Sequence, residues 1–321
     1  MTDVLTSDSI ASVSLRDADR DPDGFAQELG QSFVDYGFAI VRDHGIPQDL
    51  IDRAEEQAKA FFALPEEIKR SYLIPGGGGA RGYTAFGVET AKGATSSDLK
   101  EFWHVGRELA AGHKFRDVMA DNIWAREIPG FRETFLELYD AFDDAGVKVL
   151  RAIARFLKVD EEYFTDTVRD GNSVMRLLHY PPVDKALVSE GGGNHIRAGA
   201  HEDINTITLL LGAEEAGLEL KTQDGRWLPV SPKPGELVIN IGDMLQRLTN
   251  GRLRSTSHRV VNPAPDRASK ARYSMPYFLH FRPDFVIEAL PGTVPAGEEP
   301  KWPPISSHDY LQERLREIKL K

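Results

Sequence analysis

The first half of the chain places its apolar residues mostly at the spacing of amphipathic helices. One stretch opens on Pro47, a residue favoured in the first turn of a helix, and a short apolar run at residues 38–41 predicts a strand. The longest stretch contains Gly146, near which we expect a break in the helix. The predicted helices are residues 23–36, 47–64, 65–72 and 131–157.

From about residue 173 the pattern changes to short β-branched or alternating runs that predict strands. Turn-forming pairs such as Asp224-Gly225 and Asn250-Gly251 separate these runs, as expected for an antiparallel sandwich or barrel. A charged helix is predicted over residues 306–321. The predicted strands are residues 174–179, 206–211, 217–221, 228–230, 236–241, 258–262 and 273–281.

Together the two patterns predict an α+β fold in which helices support a jelly-roll core. We expect a mainly helical N-terminal region at residues 1–165 and the jelly-roll core at residues 166–290. A C-terminal extension with its helix occupies residues 291–321, and the three parts are expected to form one compact unit.

Composition bears on the class of protein and on its location in the cell. With 41% hydrophobic and 28% charged residues, the 321-residue chain has the make-up of a soluble globular protein. It contains no run of about 18 apolar residues that would span a bilayer. The polar, acidic start of the chain lacks the apolar segment of a secretory signal, so we expect a cytoplasmic protein.

Cysteine content and charge narrow the chemistry further. The chain has no cysteine, which excludes disulfides, thiolate metal sites, Cys-ligated iron–sulfur clusters and cysteine nucleophiles. A bound metal would therefore rely on histidine and carboxylate ligands. The formal net charge of -11, without a basic tract, argues against a nucleic-acid partner.

A candidate metal site begins at His201-Glu202-Asp203, where a histidine starts a His-x-Asp triplet. In an extended segment residues i and i+2 point to the same face, about 7 Å apart along the backbone, so His201 and Asp203 can converge on one ion. His258 opens a later apolar run and is the candidate third ligand. Two histidines and one carboxylate form the facial set of non-haem Fe(II) oxygenases, and zinc is the alternative for the same ligand types.

A candidate anion site follows the third ligand at Arg272-Tyr273-Ser274. In a strand Arg272 and Ser274 share a face, where the guanidinium can bind a carboxylate in a bidentate way and the hydroxyl can complete the contact. A dicarboxylate such as 2-oxoglutarate needs a buried cation for the carboxylate that does not chelate the metal. An ordinary salt bridge is the alternative role for an isolated arginine.

Over nearly its whole length the chain resembles the isopenicillin N synthase-like branch of the Fe(II)/2-oxoglutarate-dependent dioxygenases. The resemblance is densest around the candidate metal ligands and extends to motifs far from them. The segments that carry it are residues 38–47 (FAIVRDHGIP), Gly82-Tyr83, Lys100-Glu101, residues 176–182 (RLLHYPP), 200–203 (AHED), 239–243 (INIGD), Thr249-Asn250-Gly251 and residues 255–262.

The resemblance implies a double-stranded β-helix, or jelly roll, with an N-terminal helical region. It also implies an enzyme that binds Fe(II) at His201, Asp203 and His258 and uses 2-oxoglutarate and O2, with ascorbate as an optional reductant. Such an enzyme hydroxylates or desaturates a small organic metabolite and releases succinate and CO2.

In family members that use 2-oxoglutarate, an Arg-x-Ser pair and the Tyr of a Tyr-Pro motif bind this cosubstrate. By motif, the corresponding residues here are Arg272, Ser274 and Tyr180. The chain departs from the common pattern at Leu178, where many members carry an asparagine that contacts the cosubstrate. A longer polar loop at residues 263–271 is a second departure, which a surface loop between strands tolerates.

Other residues have expected roles around this site. His44 is expected to make structural hydrogen bonds, and Asp243 to fix a turn or hold backbone amides rather than bind metal. Three histidines could approach the pocket, although a solvent-facing or hydrogen-bonded role is the more common outcome for each: His179, His195 and His280. Family position predicts substrate-pocket lining by Arg81, Phe86, Gln246 and Phe278.

Three alternatives stay open at this level. The first is an Fe(II) oxidase without 2-oxoglutarate, of the isopenicillin N synthase or aminocyclopropanecarboxylate oxidase type. The second is an ethylene-forming relative that fragments 2-oxoglutarate itself, and the third is a non-enzymatic jelly-roll binding module. The partner is expected to be a small molecule, with no nucleic acid and no membrane involved. The sequence indicates neither the prime substrate nor the oligomeric state.

Overall fold

The computed structural model describes residues 10–76, 79–88, 99–182, 198–211, 217–261 and 270–317. The four helices predicted in the first half of the chain match those of the structure to within two residues at each end. The predicted C-terminal helix is described over Ser307–Glu317, and residues 318–321 lie outside the described residues. Of the helices described, none combines the length and the apolar character that crossing a bilayer needs. The helices are α1 (Asp17–Arg20), α2 (Pro22–Tyr36), α3 (Gln48–Phe62), α4 (Glu66–Arg70), α5 (Phe131–Leu157), α6 (Tyr163–Val168), α7 (Asp243–Leu248) and α8 (Ser307–Glu317).

Helix α5 runs without interruption over 27 residues, so the predicted break near Gly146 is wrong. The glycine instead lets the helix approach the sheet closely, because a Cβ atom on Gly146 would lie 2.4 Å from Cδ1 of Leu279. The apolar residues at helical spacing, including Phe135 and Phe142, are fully buried. The helix is therefore the scaffold against which the sheet packs.

The strands are short; four lie in the first half of the chain, and the others follow one another closely in the second half. They are β1 (Ser12–Ser14), β2 (Phe38–Arg42), β3 (Gly82–Thr84), β4 (Glu101–Gly106), β5 (Val174–Tyr180), β6 (Ala198–His201), β7 (Ile207–Leu211), β8 (Leu218–Lys221), β9 (Trp227–Pro229), β10 (Leu237–Ile241), β11 (His258–Val260), β12 (Arg272–Ser274), β13 (Pro276–Leu279), β14 (Val286–Ile287) and β15 (Ile305–Ser306).

The described strands form a large sheet, a small sheet and an antiparallel pair, β14–β15. The large sheet has the order β1-β2-β10-β7-β13-β5-β4-β3, with β12 also paired to β5, and the small sheet has the order β6-β11-β8-β9. Apart from the parallel pair β1–β2, the pairings in both sheets are antiparallel. Phe38, Ile40 and Val238 of the large sheet pack against Leu220 and Val260 of the small one. The predicted α+β fold with a jelly-roll core is confirmed.

The two faces of the large sheet have different partners. Alternate residues of β5, such as Met175 and Leu177, join the extensive core between the sheet and the helices. Leu178 and Tyr180 lie on the opposite face of the strand, point into the jelly roll and cluster with Phe102 of β4. One strand therefore supports the scaffold with one face and lines the interior with the other.

Some strands of the structure have no counterpart among the predicted ones, and one predicted strand corresponds to two. Strand β4 was not predicted because all six of its residues are buried, polar Glu101 and His104 included, so it shows no apolar–polar alternation. The predicted strand at 273–281 is in fact two strands. Arg272–Ser274 pairs with β5 alone, whereas Pro276–Leu279 lies between β5 and β7.

Candidate functional site

The structure brings together the three side chains predicted to bind metal, and we call His201, Asp203 and His258 the metal centre. His201 ends β6 and lies directly opposite His258 of the antiparallel strand β11, with ring centroids 4.4 Å apart. Asp203 follows β6 and turns towards both rings. One ligand atom from each of the three residues lies within 4.8 Å of the others.

Backbone contacts orient both imidazole rings. Nδ1 of His201 donates to the carbonyl of Gly199 at 2.7 Å, and Nδ1 of His258 donates to the carbonyl of Thr256 at 3.1 Å. Because a carbonyl only accepts, each Nδ1 carries a proton, which leaves Nε2 as the ring nitrogen that can bind a metal ion. These Nε2 atoms lie 3.7 Å and 3.9 Å from Oδ1 of Asp203. Locking the ring through the second nitrogen is typical of metal-binding histidines.

Asp203 is held on its other side. Its Oδ2 accepts hydrogen bonds from the hydroxyl of Thr208 at 2.5 Å and from the amide of Asn240 at 2.8 Å. Burial alone would raise the pKa of this carboxyl, but the neighbouring imidazoles and the two hydrogen bonds outweigh it and lower the pKa. Asp203 is therefore an anion with one oxygen anchored and the other directed at the histidines.

The electrostatics of His201 also suit a ligand. Desolvation of the ring and the neighbouring His258 lower its pKa to about 4, against an opposing effect of Asp203. The imidazole is then neutral near pH 7. Its side chain nevertheless keeps 41% of its surface exposed, so a ligand can reach the centre from solvent.

This donor set fits a divalent metal ion. Two imidazole Nε2 atoms and one carboxylate oxygen converge, and these are ligand types that a divalent cation binds. Three protein ligands leave further coordination positions for other molecules, as in non-haem Fe(II) sites. The residues present thus fit the Fe(II) that the sequence implies.

Arg272 lies deep in the interior, with 3% of its surface exposed. It stands opposite Tyr180 across the β12–β5 pair, and its guanidinium lies 5.1 Å from the centroid of the tyrosine ring. Nη1 donates to the hydroxyl of Ser274 at 3.3 Å, whereas Nε is buried without a hydrogen-bond partner. Within the described ranges, no carboxylate lies at ion-pair distance from Arg272. A buried, incompletely paired guanidinium of this kind fits an anionic ligand.

Leu178 occupies the position at which the chain departs from the family pattern. It lies opposite Ser274 and is buried in the cluster with Phe102 and Tyr180. It supplies an apolar wall beside Arg272 in place of a polar contact.

An aromatic and cationic chamber adjoins the metal centre on the same interior face. Phe278 lies directly opposite Thr208, the residue that donates to Asp203. The guanidinium of Arg176 lies 4.3 Å from the ring centroid of Phe102 and 5.4 Å from that of Phe278. We call Phe102, His104, Arg176 and Phe278 the aromatic chamber.

His104 fixes the arginine of this chamber. Nε of Arg176 donates to Nε2 of His104 at 2.6 Å, and Nδ1 of the same ring donates to the carbonyl of Gly79 at 2.5 Å. Of this chamber, only Phe278 was among the predicted pocket residues. Arg176 could have been found, since it precedes Tyr180 by four positions in one strand and therefore shares its face. Phe102 and His104 belong to the unpredicted strand β4 and carried no such signal.

The other predicted pocket residues lie in varied places. Arg81 is buried, and its guanidinium covers Gly106, where an added Cβ would lie 2.0 Å from it. Gln246 accepts a hydrogen bond from the backbone amide of Ser255 and so holds a loop. Phe86 is 46% exposed.

The remaining histidines have separate roles. His44 bonds the carbonyl of Gly235 through Nε2 and the amide of Ile46 through Nδ1, which confirms its predicted structural role. His280 is buried, and Nδ1 bonds the carbonyl of Phe278; burial lowers its pKa to about 4. His195 lies outside the described residues.

His179 points away from the jelly-roll interior and belongs to a second buried polar group. Nδ1 of His179 bonds Oε1 of Glu101 at 2.7 Å, while Oε2 accepts from Lys69 at 2.8 Å and from the hydroxyl of Tyr83. We call these four residues the Glu101 cluster. The ring of His179 also stacks on Tyr273 at 4.7 Å, so this cluster supports from behind the strands that carry Tyr180, Arg272 and Ser274.

Asp243 takes a role that differs in part from the prediction. Its side chain does not join the metal centre, as expected, but it binds the C-terminal helix rather than backbone amides. Oδ2 accepts from the hydroxyl of Tyr310 at 3.2 Å and lies 3.5 Å from Nη2 of Arg314.

Comparisons with known proteins agree with this geometry. Residues 9–127 match the family model described as the non-haem dioxygenase in morphine synthesis N-terminal domain, and residues 171–281 match the 2OG-Fe(II) oxygenase superfamily. The chain is 36% identical over 294 residues to the 2-oxoglutarate-Fe(II) type oxidoreductase hxnY of Emericella nidulans, covering 89% of this chain and 82% of that protein.

Two solved structures are also similar. A 2OG-Fe(II) oxygenase family protein from Caulobacter crescentus superimposes with a TM-score of 0.88 at 55% identity, covering 96% of this chain and 99% of that one. A full-length Neurospora crassa protein in complex with alpha-KG and thymine superimposes with a TM-score of 0.84 at 30% identity, covering 98% of each chain.

Proposed function

The chain belongs to the 2OG-Fe(II) oxygenase superfamily, and from that premise we propose that His201, Asp203 and His258 are the ligands of its iron. The protein is an Fe(II)- and 2-oxoglutarate-dependent dioxygenase that oxidises a small molecule. The observation that carries the ligand assignment is the convergence of two Nε2 atoms on Oδ1 of a buried carboxylate. Because both Nδ1 atoms donate to carbonyls, the Nε2 atoms are the ring nitrogens available to bind a cation together with that oxygen.

Arg272 is the proposed anchor for the distal carboxylate of 2-oxoglutarate. Its support is the burial of the guanidinium together with the unpaired Nε. Ser274 adds a hydroxyl beside Nη1, and the Tyr180 ring closes the site from the opposite strand. A carboxylate bound here would form the charge-assisted hydrogen bonds that the described residues leave unmade.

When bound, Fe(II) and 2-oxoglutarate supply the oxidising chemistry, in which O2 is consumed and the keto acid is converted to succinate and CO2. The protein's own residues supply orientation and exclusion of water. The carbonyls of Gly199 and Thr256 keep the imidazole lone pairs directed inward, and Thr208 keeps Asp203 in place. Leu178 provides an apolar wall beside the anion site, which strengthens the electrostatic contacts of Arg272.

The aromatic chamber is the proposed binding site of the prime substrate. It offers a fixed guanidinium between two phenyl rings, close to the residue that holds Asp203. Such a chamber suits a small, flat molecule with hydrogen-bond acceptors, since rings stack on aromatic faces and acceptors bind arginine. Thymine, which the Neurospora relative binds, has this character. The net charge of -11 favours a free small molecule over a polynucleotide.

Anaerobic titration with Fe(II) tests the metal ligands. The wild-type protein should bind one equivalent, and His201→Ala and His258→Ala should each lose most of the affinity while keeping the far-ultraviolet circular dichroism of the parent. His308→Ala, a histidine on α8 far along the chain from the centre, is the matched control. Unchanged iron affinity in both ligand variants would place the metal elsewhere.

Succinate formation tests the chamber. A panel of small cyclic amides, thymine included, should stimulate succinate release above the level without substrate, and Arg176→Met should abolish this stimulation while leaving 2-oxoglutarate affinity unchanged. Stimulation that survives Arg176→Met would contradict the proposed substrate site.

A further inference from the structure

The C-terminal helix reaches the back of the metal centre through one buried carboxylate. Tyr310 and Arg314 lie one turn apart on α8, and both contact Oδ2 of Asp243, at 3.2 Å and 3.5 Å. Tyr310 and Asp243 are 6% and 5% exposed, so the contact is made inside the protein. A buried carboxylate depends strongly on such partners, because losing them leaves a charge without compensation.

Asp243 in turn holds the segment that carries a proposed iron ligand. Its backbone amide donates to the carbonyl of Asp203 at 2.7 Å. The residues on either side continue this contact: Gly242 donates to Thr206 at 3.0 Å, and Met244 donates to Asn205 at 3.1 Å. The first turn of α7 is thus fastened to the backbone immediately following His201, and a shift of Asp243 would move Asp203.

The C-terminal helix is itself firmly placed. Its first residue, Ser307, donates its amide to the carbonyl of Phe285 at 2.8 Å. Arg247 of α7 packs its guanidinium 4.9 Å from the centroid of the Tyr310 ring and donates to the carbonyl of Pro303 at 2.9 Å. Helices α7 and α8 therefore form one packed unit behind the centre.

We infer that Tyr310 and Arg314 are positioning residues for the iron site, acting through the Asp243 carboxylate and amide on Asp203. The inference rests on the proposed assignment of Asp203 as an iron ligand. Without the two side chains, the buried carboxylate must move towards water to recover hydrogen bonds, and the amide bound to Asp203 moves with it. The direct consequence is a looser metal site in a protein that is otherwise folded.

Co(II) is a suitable probe, since its affinity and visible absorption both respond to ligand geometry without any turnover. The variants are Tyr310→Phe, Arg314→Gln and the double variant in the full-length chain. Arg316→Gln removes the same charge from the same helix on its exposed side and is the matched control. Release of Co(II) to an excess of chelator should be about threefold to tenfold faster in the double variant, with an altered absorption spectrum. Arg316→Gln should match the wild type.

Rescue separates positioning from general loss of stability. Arg314→Lys keeps a cation near Asp243 and should recover most of the wild-type release rate, whatever its melting temperature. Tyr310→Phe keeps the ring that packs beneath Arg247, so it remains informative if the double variant fails to fold. Wild-type release rate and spectrum in Tyr310→Phe and Arg314→Gln would overturn the inference. The iron-ligand assignment would still stand or fall separately, by the titrations of His201→Ala and His258→Ala.

Discussion

The metal centre and the Glu101 cluster are both buried groups that combine a carboxylate with imidazole, yet their hydrogen bonding differs. In the Glu101 cluster both carboxylate oxygens receive donors, so the group is complete within the protein. In the metal centre Oδ2 is satisfied by donors, while Oδ1 faces the Nε2 atoms of two imidazoles at 3.7 Å and 3.9 Å, beyond hydrogen-bond distance. The groups also differ in exposure and charge, since the His201 side chain keeps 41% of its surface exposed and only the Glu101 cluster contains a lysine. A carboxylate oxygen that no described protein donor satisfies is therefore what distinguishes this binding site from the structural group.

The largest expected effect is on Fe(II) affinity, when the carboxylate at the metal centre is removed. In Asp203→Ala we expect Fe(II) affinity to fall more than about 100-fold, beyond the usual effect of altering a residue that only orients a ligand. The fold should persist, because the hydrophobic cores on both faces of the large sheet do not include this carboxylate. Anaerobic titration and circular dichroism measure the two effects, with exposed Asp224→Ala as the control. If Asp203→Ala were unfolded, Asp203 would have a structural role like that of Glu101, and the proposed difference between the two groups would be wrong.

Removing the carboxylate of the Glu101 cluster should lower the stability of the protein rather than its Fe(II) affinity. Glu101→Ala leaves the Lys69 ammonium buried without its main partner, and we expect a loss of about 3–5 kcal/mol in the free energy of unfolding. Urea denaturation measures this loss, and exposed Glu133→Ala serves as the control. Fe(II) affinity of the folded Glu101→Ala protein should stay close to that of the wild type. A stable variant that binds iron poorly would mean that the two groups have been assigned the wrong roles.

Arg272 belongs with the metal centre in this comparison, since it too is incompletely paired. Arg272→Ala should weaken 2-oxoglutarate binding by about 2–4 kcal/mol, because the cosubstrate loses a charged partner in a buried site. Calorimetry on the Co(II)-loaded protein measures the affinity, with Arg282→Ala as a control at a more exposed arginine. Normal affinity in Arg272→Ala would place the distal carboxylate elsewhere.

The smallest expected effect is the contribution of His280 to the pH dependence of stability. Its imidazole is buried, and none of the described carboxylates is in contact with it. Burial lowers its pKa from 6.5 to about 4, so the unfolded chain takes up a proton before the folded one as the pH falls. The wild type should therefore lose stability between about pH 6.5 and pH 4, by about 2–3 kcal/mol more than His280→Gln. Urea denaturation of the metal-free proteins at several pH values checks this. Equal pH dependence in both proteins would show that His280 is not desolvated.

Much of the metal centre was accessible from sequence because its geometry is local. Strand alternation predicts that His201 and Asp203 converge, and they do, although the strand ends at His201 and Asp203 lies just beyond it. His258 opens a strand that pairs directly with that of His201. Arg272 and Ser274 follow the same rule. In each case a spacing of two residues was enough to place side chains on one face.

The Glu101 cluster could not be predicted in the same way. Its members come from α4, β3, β4 and β5, and only the folded chain brings them together. Its central residue lies in a strand without alternation, which hid the element itself. The contact between Tyr310 and Asp243 joins positions 67 residues apart and likewise has no local signature.

Strand β5 carries His179 of the Glu101 cluster on one face and Tyr180, beside Arg272, on the other, and this has a consequence for how the protein can diverge. Single substitutions alter one face at a time, but inserting or deleting one residue within Val174–Tyr180 would exchange the faces. His179 would then enter the jelly roll, and Tyr180 would turn towards the helices. We therefore expect length variation among relatives to be confined to the segments flanking β5, even where the residues within the strand change.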